Sequence, residues 1–132
     1  MRRFLALLPL LVVACASAPR PAPKPAPAGA APQGLDAQIA AGEKSYQDAC
    51  ATCHGKAGKG GNRAPAVIGK KALGKNAKET FGYIKDNMPP EGPGTLTEQD
   101  YLNITAWLVK QDGWTVTDPI TAANAESVRP SK

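Results

Sequence analysis

The segment Cys50-Ala51-Thr52-Cys53-His54 decides how the rest of the chain is interpreted. Its pattern, C-x-x-C-H, is the attachment signal for a c-type haem. Positions i, i+3 and i+4 of a helix lie on one face, so the two thiols and the imidazole point in the same direction. Two thiols can add to the two vinyl groups of one haem while the imidazole reaches the iron. The segment therefore predicts one covalent haem c, held by Cys50, Cys53 and His54, and single-electron chemistry.

Residues 1–14 predict a signal peptide. Two arginines precede an apolar stretch that is too short to span a bilayer. Residues 11–15, Leu-Val-Val-Ala-Cys, resemble a bacterial lipobox, which implies cleavage before Cys15 and acylation of its thiol. An ordinary signal peptide cleaved near residues 16–18 is the alternative. In both cases the chain leaves the cytosol, and with the lipid it would be anchored on the periplasmic side, to the inner or the outer membrane.

The three cysteines are then assigned without remainder, one to the lipid and two to the haem. No pair is left for a disulfide, although the compartment would permit one. His54 directly after Cys53 argues against a disulfide between Cys50 and Cys53, and the lack of a preceding strand argues against a thioredoxin-like pair. One His and two Cys are also too few ligands for a zinc site.

The second axial ligand of the iron is predicted from the few suitable side chains. The chain has one His and two Met, and Met1 leaves with the signal peptide. His54 and Met88 are therefore the candidate ligands, and a His/Met pair raises the reduction potential because the soft thioether favours Fe(II). Two alternatives stay open: an iron whose sixth position holds water or nothing, and ligation by a lysine between residues 70 and 85.

After the signal peptide, the sequence predicts three segments. Residues 15–34 form a Pro/Ala-rich tether that favours extended polyproline II and cannot bury a core. Residues 35–114 form the haem domain. Residues 115–132 show no periodicity and predict a poorly ordered tail.

The haem domain is predicted to be all-α, because no strand-like alternation is present. Helices are expected over about 37–52, 77–87 and 98–111. Their predicted N-caps are Asp36, Asn76 and Thr97. Three helices with long loops bury only a small apolar core, and the flat apolar face of a covalent haem would add to it.

Residues from about Gly42 to Leu108 resemble class I cytochrome c, the small monohaem electron carriers. One part of the resemblance is helical: the spacing of Gly42, Tyr46 and Cys50 in the first helix, and Trp107 in the last helix. The other part lies in two loops, Ala64-Pro65-Ala66-Val67-Ile68-Gly69 after the haem motif and Asn87-Met88-Pro89-Pro90 further on.

The resemblance implies a small cytochrome c fold in which about three main helices wrap around one haem. It implies that Gly42 permits close contact with the last helix and that Met88 is the second axial ligand. It also implies that the carbonyl of Pro65 accepts a hydrogen bond from the axial His54 and so fixes the orientation of the ring.

The predicted function is that of a membrane-tethered single-electron carrier that exchanges electrons with redox partner proteins. No enzyme activity of its own is expected, because an iron with two protein ligands cannot bind a substrate. Two other functions stay open. The chain could be a fixed haem subunit of a larger respiratory complex, or a haem enzyme or gas sensor with an open iron site.

The distribution of charge bears on the partners. The net charge of +5 falls to +3 once Arg2 and Arg3 are removed, and the haem propionates lower it by about two more, so it gives no case for nucleic acid. Between residues 55 and 87, the sequence contains eight basic residues and only two acidic ones. In the class I fold this segment surrounds the exposed haem edge, which implies a positive ring that steers docking to an acidic partner. A solvated basic surface without a docking role is the alternative.

Overall fold

The computed structural model describes residue 32, residues 34–69 and residues 72–131. The predicted signal peptide, Cys15 and nearly all of the tether lie outside these residues. No helix within the described part is both long enough and apolar enough to cross a bilayer. The described residues contain no strand, which confirms the predicted all-α class. The four helices are α1 (Leu35–Ala49), α2 (Ala51–His54), α3 (Ala77–Asn87) and α4 (Glu98–Gln111).

Helices α3 and α4 have the predicted bounds because both begin at side-chain caps. The Oδ1 atom of Asn76 accepts a hydrogen bond from the N–H of Glu79 at 2.8 Å. The hydroxyl of Thr97 accepts one from the N–H of Asp100 at 3.1 Å. Each cap satisfies an amide of the first turn that has no partner inside the helix. Gly113, with φ of +84°, follows α4 and ends it as expected.

Helix α1 differs from its prediction at both ends. It begins at Leu35 with Gly34 at the N-cap, so Asp36 lies in the first turn and does not cap the helix. A carboxylate in that turn still interacts favourably with the positive end of the helix. The helix ends at Ala49 because Cys50, with φ of −119°, turns away from the α1 axis before α2 begins.

Helix α4 lies at the centre of the fold and packs against both α1 and α3. Residues 101–109 are all buried, so this helix has no solvent-exposed side over about two and a half turns. One apolar cluster on α4 includes Leu102 and Val109 and faces α3 and the C-terminal segment. The other includes Ile104 and Leu108 and faces α1 and the loops after α2.

The crossing of α1 and α4 depends on Gly42. A Cβ atom at this position would lie 1.9 Å from the carbonyl oxygen of Asn103 and 2.9 Å from the Cβ of Trp107. No side chain fits at this position, so the backbones of α1 and α4 can touch only because glycine has no side chain. One turn further on, the rings of Tyr46 and Trp107 pack against each other with centroids 4.3 Å apart.

The structure corrects the expectation of a poorly ordered tail over residues 115–132. From this segment, Val116, Ile120 and Ala125 are buried and join the cluster between α3 and α4, which also contains Trp114. Backbone hydrogen bonds also connect this segment to the start of α3, where the N–H of Ala77 donates to the carbonyl of Val128 at 2.9 Å. The segment shows no periodicity because it is not a helix or a strand. It crosses the helices as an irregular chain, and single apolar residues enter the core at unequal intervals.

Candidate haem site

A cavity of about 730 Å³ lies between the helices and the two long loops. Cys50, Cys53, His54 and Met88 all line it. Most of the remaining wall is apolar and includes Val67, Leu73, Ile84, Leu96, Ile104 and Leu108. The fold therefore brings the four predicted cofactor-binding side chains to one apolar space, although 33 residues lie between His54 and Met88 in the sequence.

The two cysteines and the histidine belong to one short helical turn. The N–H of Cys50 still donates to the carbonyl of Tyr46 at 2.8 Å, which connects this turn to α1. The N–H groups of Cys53 and His54 then donate to the carbonyl of Cys50, at 3.2 and 3.0 Å. No disulfide joins Cys50 to Cys53. Burial, and to a smaller extent the neighbouring Cys53, raises the pKa of the Cys50 thiol to about 11.

The imidazole of His54 is oriented by the loop that follows. Its Nδ1 atom lies 2.8 Å from the carbonyl oxygen of Pro65. A carbonyl can only accept a hydrogen bond, so Nδ1 carries the proton and Nε2 keeps a lone pair available for a metal. The Gly-rich part of this loop is well packed. Gly58 has φ of +67°, and its carbonyl accepts hydrogen bonds from the N–H groups of Val67 and Ile68 at 2.8 and 3.2 Å.

Met88 lies further along the chain, directly after the end of α3. It is the C-cap of this helix in an extended conformation, with φ of −130° and ψ of 147°. Its N–H donates to the carbonyl of Ile84 at 2.9 Å. Pro89 follows and cannot continue the helix, so the chain turns at the residue whose thioether lines the cavity.

Two buried tyrosines at this site were not assigned a polar role from the sequence. The hydroxyl of Tyr46 donates to the carbonyl of Gly55 at 2.8 Å, directly after His54. The hydroxyl of Tyr101 donates to the carbonyl of Met88 at 2.9 Å. Both rings are 1% exposed and line the cavity. The available signal was the choice of tyrosine over phenylalanine on a buried helix face, since a buried hydroxyl needs a partner.

Three further polar or aromatic side chains differ in their relation to the cavity. Tyr83 lines the cavity but is 61% exposed. The amide of Asn87 donates to the carbonyl of Tyr83 at 2.9 Å. Trp114 is buried in the cluster on the opposite side of α4, and its Nε1 donates to Asp112 at 3.0 Å. Trp114 therefore serves the core.

The basic segment between residues 55 and 87 is partly neutralised by acids from outside it. Lys78 pairs with Glu126 at 3.0 Å, and Lys85 pairs with Glu98 at 3.2 Å. These exposed pairs add little to stability, but they reduce the local positive charge. At the cavity itself, the described charged residues are Arg63, Glu79 and Glu91. Lys70 and Lys71 lie outside the described residues.

The site fits a haem. The donor set consists of two thiols, one imidazole nitrogen and one thioether, and these border a space that is otherwise mostly apolar. Within residues 34–69 and 72–131 no group of three or more His, Cys, Asp or Glu side chains could hold a metal ion directly.

This fold and this donor set define a class I c-type cytochrome with one covalent haem c. Residues 37–108 match the profile of the family described as cytochrome c oxidase, cbb3-type, subunit III, and the chain belongs to that family. The predicted class and the predicted cofactor are thereby confirmed.

A comparison with solved structures gives the same fold. The crystal structure of the sulfane dehydrogenase SoxCD from Paracoccus pantotrophus contains a chain with a TM-score of 0.61 and 24% sequence identity to this one. The match covers 70% of this chain and 52% of that chain, so this chain spans about half the length of its solved relative. At this identity the likeness concerns the fold alone. No curated protein matched the chain.

Proposed function

We propose that this chain is a single-electron carrier whose haem c has His54 and Met88 as axial ligands, and that a lipid on Cys15 tethers it to a membrane on the periplasmic side. The cytochrome c domain indicates haem-based electron transfer. The observation that carries the ligand assignment is the convergence of Cys50, Cys53, His54 and Met88 on one apolar cavity.

Each of these residues has a defined task in the proposal. A bound haem c supplies a one-electron Fe(III)/Fe(II) couple. Cys50 and Cys53 hold the porphyrin by thioether bonds, and His54 offers Nε2 while Pro65 holds its Nδ1–H. Met88, which lines the same cavity, would offer its sulfur. Two protein ligands leave no position for a substrate, so the protein has no enzyme activity of its own, and the apolar lining excludes water from the iron.

An optical and redox titration of the mature protein tests the assignment of Met88. The wild type should show the sulfur-to-iron charge-transfer band, and Met88→Ala should lose it and have a much lower reduction potential. Glu91→Ala is the matched control, because Glu91 lines the same cavity from the same loop and carries no sulfur that could give this band. A band that survives in Met88→Ala would eliminate this ligand.

Two further measurements test the rest of the site. Alkylating reagents should find no free thiol at Cys50 or Cys53 in protein from a cell that matures cytochromes. The reduced wild type should not bind carbon monoxide rapidly. Rapid binding would instead support the alternative of a haem enzyme or gas sensor with an open iron site.

The membrane tether rests on the sequence of the N-terminus. At about 3.1 Å per residue, an extended segment 15–34 would hold the haem domain up to roughly 60 Å from its anchor. The wild type should therefore fractionate with membranes, and Cys15→Ala should be released in soluble form. Ser17→Ala is the control and should stay with the membranes. Soluble wild-type protein that begins near residue 19 would point to an ordinary signal peptide.

A fixed subunit of a respiratory complex is the second candidate, and the family description favours it because it names an oxidase subunit. Solubilisation in mild detergent distinguishes the two. A fixed subunit would copurify with membrane partners in constant proportion, whereas a tethered carrier would be recovered alone.

The basic segment supports docking to an acidic redox partner in either case. The rate of bimolecular electron transfer should then fall as ionic strength rises. Lys56→Gln should lower this rate at low salt. Lys44→Gln is the control, because Lys44 lies on α1 and already pairs with Asp48 at 2.9 Å. A rate that does not change with salt would remove the docking role.

A further inference from the structure

The backbone of Met88 is held from two different helices. Its N–H donates to the carbonyl of Ile84 in α3 at 2.9 Å. Its carbonyl accepts a hydrogen bond from the hydroxyl of Tyr101 in α4, also at 2.9 Å. These two hydrogen bonds hold the two peptide groups on either side of the Met88 Cα atom, so together they fix the position of this atom and the direction of the side chain. Tyr101 itself sits in the first turns of α4, the central helix, and is 1% exposed.

The loop after Met88 has few other attachments. Residues 89, 90 and 93 are prolines and have no N–H to donate. The described hydrogen bonds within residues 89–96 are local and join Gly92 to Pro89 and Thr95 to Gly92. Among the described residues, the hydroxyl of Tyr101 therefore makes the hydrogen bond that ties the start of this loop to a helix other than α3.

We propose that Tyr101 is a positioning residue that keeps Met88 in place for the iron. The inference rests on Met88 being the axial ligand proposed above. An open iron would require Met88 to move away, and any movement of its backbone would break the bond from the Tyr101 hydroxyl to the Met88 carbonyl. The hydroxyl therefore stabilises the state with Met88 in place relative to the state with an open iron. Removing it shifts this equilibrium and exposes the iron to small ligands more often.

Tyr46 provides a matched control within the same molecule. It is also 1% exposed, also lines the cavity, and also donates its hydroxyl to a backbone carbonyl, that of Gly55 at 2.8 Å. Its bond lies beside His54 and not beside Met88. A merely structural role of a buried hydroxyl would therefore be equal for the two tyrosines, while a role in positioning Met88 belongs to Tyr101 alone.

The test is a titration of the oxidised, haem-loaded protein with imidazole, followed by absorbance, in the wild type, Tyr101→Phe, Tyr46→Phe and Met88→Ala. Phenylalanine keeps both rings and their packing. Tyr101→Phe should bind imidazole about fivefold more tightly than the wild type, the ratio that corresponds to about 1 kcal/mol for one neutral hydrogen bond. Tyr46→Phe should stay within about twofold of the wild type, and urea unfolding should show that both variants are folded and similarly destabilised.

The outcomes separate this inference from the proposed function. Equal imidazole affinities of Tyr101→Phe and the wild type, or equal increases in the two tyrosine variants, would overturn the role of Tyr101. A wild type that binds imidazole as tightly as Met88→Ala would instead show that Met88 is not a ligand, and the proposed site would fail with the inference.

Discussion

The contact between Gln38 and Ile120 is where the packing of the C-terminal segment can be tested most directly. Gln38 is 2% exposed, and its amide pairs with both backbone groups of Ile120. Its Nε2 donates to the carbonyl and its Oε1 accepts from the N–H, both at 2.7 Å. Ile120 is 0% exposed, so water cannot replace these bonds. We predict that Gln38→Met, which keeps the length of the side chain and removes its amide, strongly destabilises the fold.

The size of the effect follows from the two groups left without partners. A buried N–H or C=O without a hydrogen bond costs about 1–3 kcal/mol, so the pair costs about 2–6 kcal/mol. Burial of the more apolar methionine offsets a part of this, and a net loss of about 2–5 kcal/mol is expected. Domains of this size have a free energy of unfolding of about 5–15 kcal/mol, so the loss is a large share of the total.

Urea unfolding of the haem-loaded protein, followed by far-ultraviolet circular dichroism, measures this loss. The control is Gln47→Met on the same helix, because Gln47 donates one exposed hydrogen bond, to the carbonyl of Lys56 at 2.8 Å. Water can satisfy that carbonyl, so the control should lose less than about 1 kcal/mol. If Gln38→Met is no less stable than this control, the C-terminal segment does not depend on the pairing and the reasoning is refuted.

Three further predictions concern the helices. Gly42→Ala should lower the free energy of urea unfolding by about 2–4 kcal/mol, because the new Cβ would overlap the carbonyl of Asn103. Gly82→Ala on α3 is the control and should raise this free energy by up to about 1 kcal/mol, because the space around Gly82 is open. Asn76→Ala should cost about 1 kcal/mol in the same assay, because it removes the cap of α3. Burial raises the pKa of Tyr46 from 10.0 to about 12, so its phenol should ionise late in an ultraviolet pH titration. Its contribution to stability is complete below pH 10 and is lost as the pH rises towards 12, and this loss should be missing in a Phe variant.

The helices could be predicted because their signals are local. Asn76 and Thr97 accept hydrogen bonds within their own first turns, and Gly113 adopts a left-handed conformation that few other residues tolerate. These features need no knowledge of the tertiary structure. The predicted start of α1, at residue 37, is two residues late because Asp36 resembles an N-cap. The helix in fact begins at Leu35, without any side-chain cap.

The C-terminal segment could not be predicted because its interactions are all distant in sequence. Gln38 and Ile120 are 82 residues apart, and the partner of the Val128 carbonyl is the first amide of α3. A glutamine in a helix normally indicates a side of the helix that is exposed to solvent. Only the fold shows that this amide serves the backbone of an irregular segment, where no repeating pattern of apolar residues is required.

The haem site could be predicted to the extent that its chemistry is carried by rare residues. A chain with one His and a single Met after the signal peptide leaves few choices, and the C-x-x-C-H spacing limits them further. The supporting hydrogen bonds from Tyr46 and Tyr101 could not be derived in this way. Their acceptors are backbone carbonyls, which every residue has, so the sequence holds no information on which carbonyl lies within reach.

Helix α4 connects the two loops that would orient the proposed axial ligands, His54 and Met88. Tyr101 near its beginning holds the carbonyl of Met88, and Asp112 at its end accepts a hydrogen bond from the N–H of Gly69, which closes the loop that carries Pro65. If the ligands change position between the two oxidation states, this movement must accompany each electron transfer. Such a movement slows the transfer. Each loop thus has a hydrogen bond to the same helix, whose residues 101–109 are all buried, so a shift of either loop breaks its bond to this fixed helix. The C-terminal segment therefore contributes to the electron-transfer site although it does not line the cavity, because its apolar residues pack against α4 and keep it in position.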